Sequence, residues 1–516
     1  MKNNVYFNSS FMDDVGFTTI KELLSNSCKF EENKNDFLNL SPSSDKNSIE
    51  RNLKYTEELF YLLQRKENLI EAYIKDLNHV ISSMSKRGAM IDVENLHDTR
   101  TLLECFDKVK AQASKHKLTL WVELIKETEF PKEVIIKINK ILDVKGSIKD
   151  SASKTLKNII HKINKVEIDI ENKIKDEMEK YTKLGYLNES KIIYRDRKML
   201  LSVNSSSKNK VKGIIIDVSA TRQTCYIQPM SIVQLNNKLN ILTSEKKSEI
   251  LHILKNITSD IHPYAKDIYD IYTFMKLYDF HSTISYFAAK FDSIKPEFSD
   301  ELDLKKSINP IFSMDDKNYI PLNIFISKKI RTIIISGPNS GGKTIVIKSI
   351  GLYAMMAQCG LFIPAKKAKM PIFDSFLSDI GDRQSLKDDL STFSAHMKEI
   401  ARILGKSTKS SLIIIDEMGT GTDPDIGSSL SISILNKLTS KKSLTLCTTH
   451  LTPLKLWADE SPYAENASMD FDEKNLKPTF IFNPEVPGSS YGIEIAKRMG
   501  IDKSIISDAR KKIDNK

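Results

Sequence analysis

Disulfide chemistry is nearly absent from this sequence. Its 516 residues hold five cysteines: Cys28, Cys105, Cys225, Cys359 and Cys447. No two form a Cys-x-x-Cys pair, and an odd count without a framework argues against a disulfide scaffold and a structural zinc, and for a reducing compartment. The opening residues, MKNNVYFNSSFMDD, lack the basic-then-apolar order of a secretory signal. Long apolar runs are also lacking. The most apolar stretch, Ile345 to Pro364, carries Lys348 and Gln358 and reads as a buried helix rather than a membrane span. No solenoid-type repeat appears. The expectation is a cytoplasmic protein without a membrane partner.

What is present fits a soluble, globular chain of roughly two to four domains. Hydrophobic residues make up 40% and charged residues 28%. Lys and Arg number 77 against 67 Asp and Glu, giving a formal net charge of +10. That excess suits an acidic partner such as nucleic acid, and equally suits plain solubility.

Apolar residues recur at helical spacing from about Ser48 to Met84, from Glu94 to His116, and from about Ser153 to Leu184. The third stretch has mixed charge throughout and reads as a long, solvated, partly coiled-coil arm. Lys191 to Pro229 then holds three β-like runs, KIIYRDRKMLLSV, KGIIIDVS and QTCYIQP, with turn-forming SSSKNK between the first two. Helices resume from Ser231 to Phe291, and strands and helices alternate thereafter to Gly500. The expected fold class is multidomain: an α-helical frame with a small β-rich insertion, then a C-terminal α/β domain with a largely parallel sheet. The expected limits are 1–150 for the N-terminal helical region, 151–230 for the arm and β-rich insertion, 231–300 for the returning helices, and 301–516 for the α/β domain.

The chemistry concentrates in the last third. RTIIISGPNSGGKT is a β-branched strand, a glycine-rich loop and a helix start, the context that a Walker A pattern needs. Gly337, Pro338, Asn339, Ser340, Gly341 and Gly342 would turn backbone N–H groups around phosphates at a helix N-terminus. Lys343 would reach the β- and γ-phosphates of ATP, and the Thr344 hydroxyl would bind Mg²⁺. SLIIIDE places Asp416 and Glu417 at the end of a buried-type strand. Asp416 would hold Mg²⁺, and Glu417 would orient or activate the attacking water. His450 closes the run SLTLCTTH, where it can sense the γ-phosphate. The catalytic set is thus Glu417, His450 and Lys343.

A P-loop alone names no function. GPNSGGKT is followed in order by GLYAMMAQCGLFIPA, SDIGDRQSLKDDLSTFSAHM, LIIIDEMGTGTDP, CTTHLTPLKLWA, ENASMDFD and PGSSYGIEIAKRMGI. This series resembles the ATPase domain of the MutS family, and within it the bacterial MutS-two branch. Upstream, the segments around YRDRKMLLSV and HPYAKDIYDIYTF are similar to that branch's clamp and returning lever helices. This likeness implies a helical core and lever over 1–150, a clamp over 151–230, lever helices over 231–300, and an ABC-type P-loop ATPase domain with C-terminal dimerisation helices over 301–516. The resemblance implies that Asn339 lies beside the phosphates and that Ser391 reaches the ATP of the other subunit of a homodimer. It also implies that Asp423 faces the shared interface. Tyr319 aligns loosely with the family's adenine-contacting residues, and also reads as a core residue. Neither Phe30-Glu31-Glu32 nor Phe471-Asp472-Glu473 has a mismatch-reading domain around it, so direct mismatch reading is not expected. The sequence ends at Lys516, before the region where that branch carries a nuclease-like domain, so no DNA cleavage is expected.

Arg195, Arg197, Lys198, Lys208, Lys210 and Lys212 would suit phosphate contacts at a clamp tip, or form a solvated charged loop. Two functions follow from the resemblance: an ATP-gated dimeric clamp on DNA, structure- rather than sequence-specific, or a ribosome-associated ATPase acting on stalled ribosomes. A transport or chromosome-organising ABC ATPase is disfavoured by the missing LSGGQ signature.

Overall fold

The computed structural model describes residues 5–71, 73–86, 88–195, 198–315, 319–338, 341–381, 392–472, 477–486 and 501–514. The chain divides into two compact units. One comprises Met1–Tyr73, Val109–Ile125 and Met275–Lys516; the other comprises Ile74–Lys108 and Lys126–Phe274. The division falls inside the helices Val93–His116 and Ala265–Lys290; it divides the expected segments 1–150 and 231–300, while 151–230 lies in the second unit and 301–516 in the first.

The first unit is organised by a seven-stranded sheet. Its order is Tyr6–Phe7, Ser375–Asp379, Ser411–Ile415, Leu444–Thr448, Thr332–Ser336, Ala464–Asp472 and Lys477–Pro484. Every pairing is parallel except the last. The central strands are buried at every position, as their Ile- and Leu-rich sequences, interrupted only by Thr, Ser and Cys, suit a sheet covered on both faces. The helix Lys343–Gln358 is buried along almost its whole length among these strands and the N-terminal helices. Among the described residues no helix is long and apolar enough to cross a membrane. The N-terminal residues contribute to this sheet directly: Tyr6 pairs with Ser375 and Phe7 with Phe376. Asn8 binds the same strand, its Nδ2 donating to Ser378 O at 2.9 Å.

The second unit holds the expected arm and β-rich insertion. Ser153 caps the helix Lys154–Lys183 through its side chain, so the sequence estimate of its start was sound. That helix pairs with Met230–Ile261 along a seam of Val166, Ile170, Ile174, Ile232 and Leu242. The four-stranded antiparallel sheet runs in the order Leu187–Arg195, Lys198–Asn204, Thr224–Pro229, Gly213–Val218. It closes on the seam through Leu201, Val203, Cys225 and Ile227.

Two expectations are corrected. The run KIIYRDRKMLLSV is not one strand but a hairpin, with Tyr194 opposite Met199 and Arg195 opposite Lys198. Continuous apolar spacing does not reveal where a chain doubles back. The helical stretch from Ser48 to Met84 is two helices, Lys46–Gln64 and Asn78–Met84. The first stops at Arg65, and Lys66 then takes a left-handed φ of 61° that no helix can continue.

Candidate functional site

The loop after the strand Thr332–Ser336 turns on two glycines. Gly337 has φ 128° and Gly342 φ 90°, both in the region that penalises a Cβ. Space enforces the same choice. A Cβ on Gly337 would meet the Met469 carbonyl oxygen at 3.3 Å, and one on Gly342 would meet the Phe480 ring at 3.2 Å. Gly342 therefore hands the chain directly into the helix beginning at Lys343. Pro338 and Gly341 are joined by a backbone turn, Gly341 N–H donating to Pro338 O at 3.0 Å. Asn339 and Ser340 lie outside the described residues, as does Ser391.

Lys343 is 3% exposed, and its ammonium meets several acceptors. It donates to Gly337 O at 2.7 Å, to Pro338 O at 3.0 Å and to His450 Nε2 at 3.1 Å. An ammonium can only donate, so Nε2 accepts and the ring proton sits on Nδ1. Burial lowers the Lys343 pKa to about 8, against the opposing attraction of Glu417 and Asp416. Burial, followed by the Lys343 charge, likewise lowers the His450 pKa. A phosphate arriving here would replace backbone carbonyls and a neutral imidazole as the partners of a desolvated cation.

Thr344 Oγ1 donates to Asp416 Oδ2 at 2.8 Å. The other carboxylate oxygen, Oδ1, accepts a short bond from the Thr448 hydroxyl. That hydroxyl also accepts from the Glu417 backbone N–H at 2.8 Å. Thr448 is fully buried, and it holds both acids at once. Glu417 needs holding because its φ is 52°, a left-handed value that costs a non-glycine residue roughly 1–2 kcal/mol. Its side chain is exposed, free to meet a water.

Thr344 and Asp416 are hard oxygen donors of the kind Mg²⁺ takes. Among the described residues no group of three or more His, Cys, Asp or Glu could hold a metal ion. A divalent ion at this pair would need phosphate oxygens and water to complete its shell, so it would come with its nucleotide.

Two other sequence-derived residues make their hydrogen bonds outside this network. Asp423 is exposed and caps the helix Pro424–Ser440, accepting from Asp425 N–H at 3.0 Å and Ile426 N–H at 3.3 Å. Tyr319 is partly buried, and its hydroxyl is engaged with Ser349 and Asn309. Ser349 belongs to the helix Lys343–Gln358 that follows the loop.

Sequence reasoning gave no part to Asp379 or His396. Asp379 is 2% exposed; its carbonyl accepts the Asp416 N–H at 2.9 Å, and its carboxylate bonds His396 Nδ1 at 2.8 Å. His396 stands on the helix Thr392–Lys406. The available signal was SFLSD, an apolar strand closing in an acid as SLIIIDE does.

In the β-rich insertion Arg195, Lys198, Lys208, Lys210 and Lys212 are exposed, and Arg197 lies outside the described residues. Arg195 pairs with Asp217 and lies 4.0 Å over the Tyr226 ring.

The family described as MutS domain V matches residues 333–515. The chain is 34% identical over 513 residues to a protein named endonuclease MutS2 from Caldicellulosiruptor bescii, a match covering 98% of this chain and 64% of that protein. A protein of the same name from Halothermothrix orenii is 32% identical over 479 residues, 89% of this chain and 60% of the relative. Another, from Pediococcus pentosaceus, is 31% identical over 519 residues, 98% and 65% respectively. The chain thus spans a little under two thirds of the length of the relatives it matches.

Proposed function

The chain belongs to the MutS family, in its MutS2 branch, and on that premise we propose that it is an ATPase that works as a dimeric clamp on DNA. The single observation that carries the catalytic part is the network joining Lys343, His450, Thr344, Asp416, Thr448 and Glu417 across three strand ends.

In the proposed cycle the loop from Gly337 to Gly342, Asn339 and Ser340 included, wraps the phosphates of ATP with its N–H groups. Lys343 releases a carbonyl and takes a phosphate oxygen. Thr344 and Asp416 would hold Mg²⁺, which would neutralise charge on the phosphates. Glu417, fixed through its backbone by Thr448, orients a water for in-line attack and accepts its proton. His450 stays neutral at physiological pH because of its burial beside a cation, so its contact with Lys343 can be exchanged for the γ-phosphate. Ser391 completes the site of the second subunit, and Asp423 caps the helix beside that interface. The arm and β-rich insertion, residues 151–230, form the clamp, and residues 231–300 return from it. Exposed Lys198, Lys208, Lys210 and Lys212 contact DNA phosphates without reading bases.

DNA is favoured over the ribosome because the relatives are named endonucleases, and no observation favours the ribosome in particular. The expectation of no DNA cleavage rests on where the sequence stops, and over a third of the relatives' length lies outside the match. The proposal is therefore confined to the ATP cycle and the clamp. A cytoplasmic setting is supported by the five cysteines, all buried and unpaired.

The test is retention of nucleic acid by the Glu417→Gln chain. With ATP it should hold four-way DNA junctions in a gel shift and resist salt, and without ATP it should release them. Co-sedimentation with ribosomes without junction binding would reverse the assignment.

A further inference from the structure

We infer that the first unit carries a second ligand site, for a phosphate-bearing small molecule of about mononucleotide size, at the end of the sheet opposite the phosphate loop. The inference does not rest on the ATPase reading. A cavity of about 460 Å³ opens where the central parallel strands begin. Its floor includes Arg331, Ser411 and Leu444, which start or immediately precede those strands. The phosphate loop leaves the other end: Arg331 precedes the strand Thr332–Ser336, and Gly337 follows it. Six residues of extended chain put the two sites roughly 20 Å apart.

The charge of the lining is one-sided. Lys46, Lys328, Arg331, Lys409 and Lys442 surround the cavity, with Asp300 as the one carboxylate among the lining residues. The bland explanation is that these cations neutralise helix C-termini, several of which lie at this end of an α/β sheet. Lys441 does that, its Nζ donating to Leu404 O and, at 3.1 Å, to Ser407 Oγ. Among the described residues Lys328, Arg331, Lys409 and Lys442 show neither an ion pair nor such a side-chain bond, and Lys46 has only a 3.7 Å pair with Glu50. Lys442 also adopts a left-handed φ of 66° at the rim, a conformation unfavourable for an L side chain. Arg331 is half-buried and Lys46, Lys328, Lys409 and Lys442 are exposed, so their mutual repulsion is screened by water, and an anion bound among them would lower it further.

The shape narrows the anion. The cations share the lining with apolar Phe298, Ile326, Ile330 and Phe373. Ser410 also lines it, and the Ser299 hydroxyl there is bonded to Glu301 O at 2.8 Å. Nucleic-acid backbone is held by extended basic strips. A pocket of this volume, lined by both cations and apolar side chains, suits a small ligand that carries a phosphate on an apolar body.

The probes are AMP and inorganic pyrophosphate, titrated calorimetrically into the full chain. Lys343→Ala silences the phosphate loop, so binding that remains belongs elsewhere. Saturable, salt-sensitive binding of both probes is expected in that background. Adding Arg331→Gln, Lys409→Gln and Lys442→Gln should weaken it about tenfold. Ser299→Trp, which fills the cavity and keeps its charge, should remove AMP binding, with thermal unfolding checking that each variant folds. No saturable binding in the Lys343→Ala chain, or equal binding after the three charge removals, overturns the site. So does loss of duplex-DNA binding in the charge variants with AMP binding unchanged, because the residues would then serve a nucleic-acid surface. Failure of the ATPase reading would appear separately, as unchanged ATP turnover in Lys343→Ala.

Discussion

Thr448→Val removes one hydroxyl and leaves the shape of the side chain almost unchanged. That hydroxyl donates to the Asp416 carboxylate and accepts from the Glu417 N–H at 2.8 Å. A hydrogen bond to a charged group contributes about 1.5–3 kcal/mol, and one to a backbone amide about 1 kcal/mol. The site is fully buried at Thr448, so water cannot take the place of the lost oxygen without opening the strand ends. The expected destabilisation is about 3 kcal/mol. Glu417 would also lose the bond that holds its left-handed backbone, at φ 52°. If a similar loss is felt in the transition state, kcat falls about 100-fold. Thr448→Ser keeps the hydroxyl and should stay within about threefold of the parent kcat. Urea unfolding and steady-state ATP hydrolysis measure the two effects. A valine variant with unchanged stability and kcat within twofold of the parent would refute the idea that Thr448 holds the two acids in place.

Three further outcomes are expected. Gly342→Ala should weaken ATP binding tenfold or more, because φ 90° is strained for alanine and its Cβ would press on the Phe480 ring at 3.2 Å; equal affinity by calorimetry would contradict this. His281, buried against Tyr55 and Trp121 and bonded to Thr56 at 2.9 Å, has its pKa pushed by burial from 6.5 to about 3. The folded pKa lies below the unfolded one, so its contribution is complete above pH 6.5 and is lost as pH falls toward 3. Stability should drop by about 2 kcal/mol between pH 6.5 and 5, and urea unfolding of His281→Gln should show a correspondingly shallower acid slope; identical slopes would rule the histidine out. Mixing Ser391→Ala subunits with Lys343→Ala subunits should restore part of the ATPase activity that either variant lacks alone, through one intact composite site. Activity no higher than that of the pure variants argues against sharing between subunits.

The phosphate loop was legible because its chemistry is local: a strand, two obligatory glycines, a lysine and a helix in consecutive residues. Asp416 and Glu417 were legible for the same reason, as acids closing an apolar run. The roles of Thr448, Asp379 and His396 were not, because they arise only when separate strand ends come side by side in the sheet. Thr448 was visible as part of CTTH, yet nothing in that string says which residue faces Asp416. The strand Tyr6–Phe7 is two residues long and has no periodicity to detect; its register is set by Ser375 and Phe376, far along the chain. The hairpin at Tyr194 and Met199 and the helix stop at Lys66 escaped because apolar spacing carries on through both. Phe480, which presses against Gly342 from a strand with φ 59°, carried no signal beyond being aromatic.

The central claim is that Glu417, held beside Asp416 and within electrostatic reach of Lys343, activates the water that attacks ATP. Single-turnover hydrolysis by Glu417→Gln tests it most directly. The amide keeps the shape and loses the proton acceptor. The account predicts ATP affinity within a few-fold of the parent chain and a hydrolysis rate lower by about 100-fold or more. A rate within threefold of the parent, with ATP bound equally well, would contradict it.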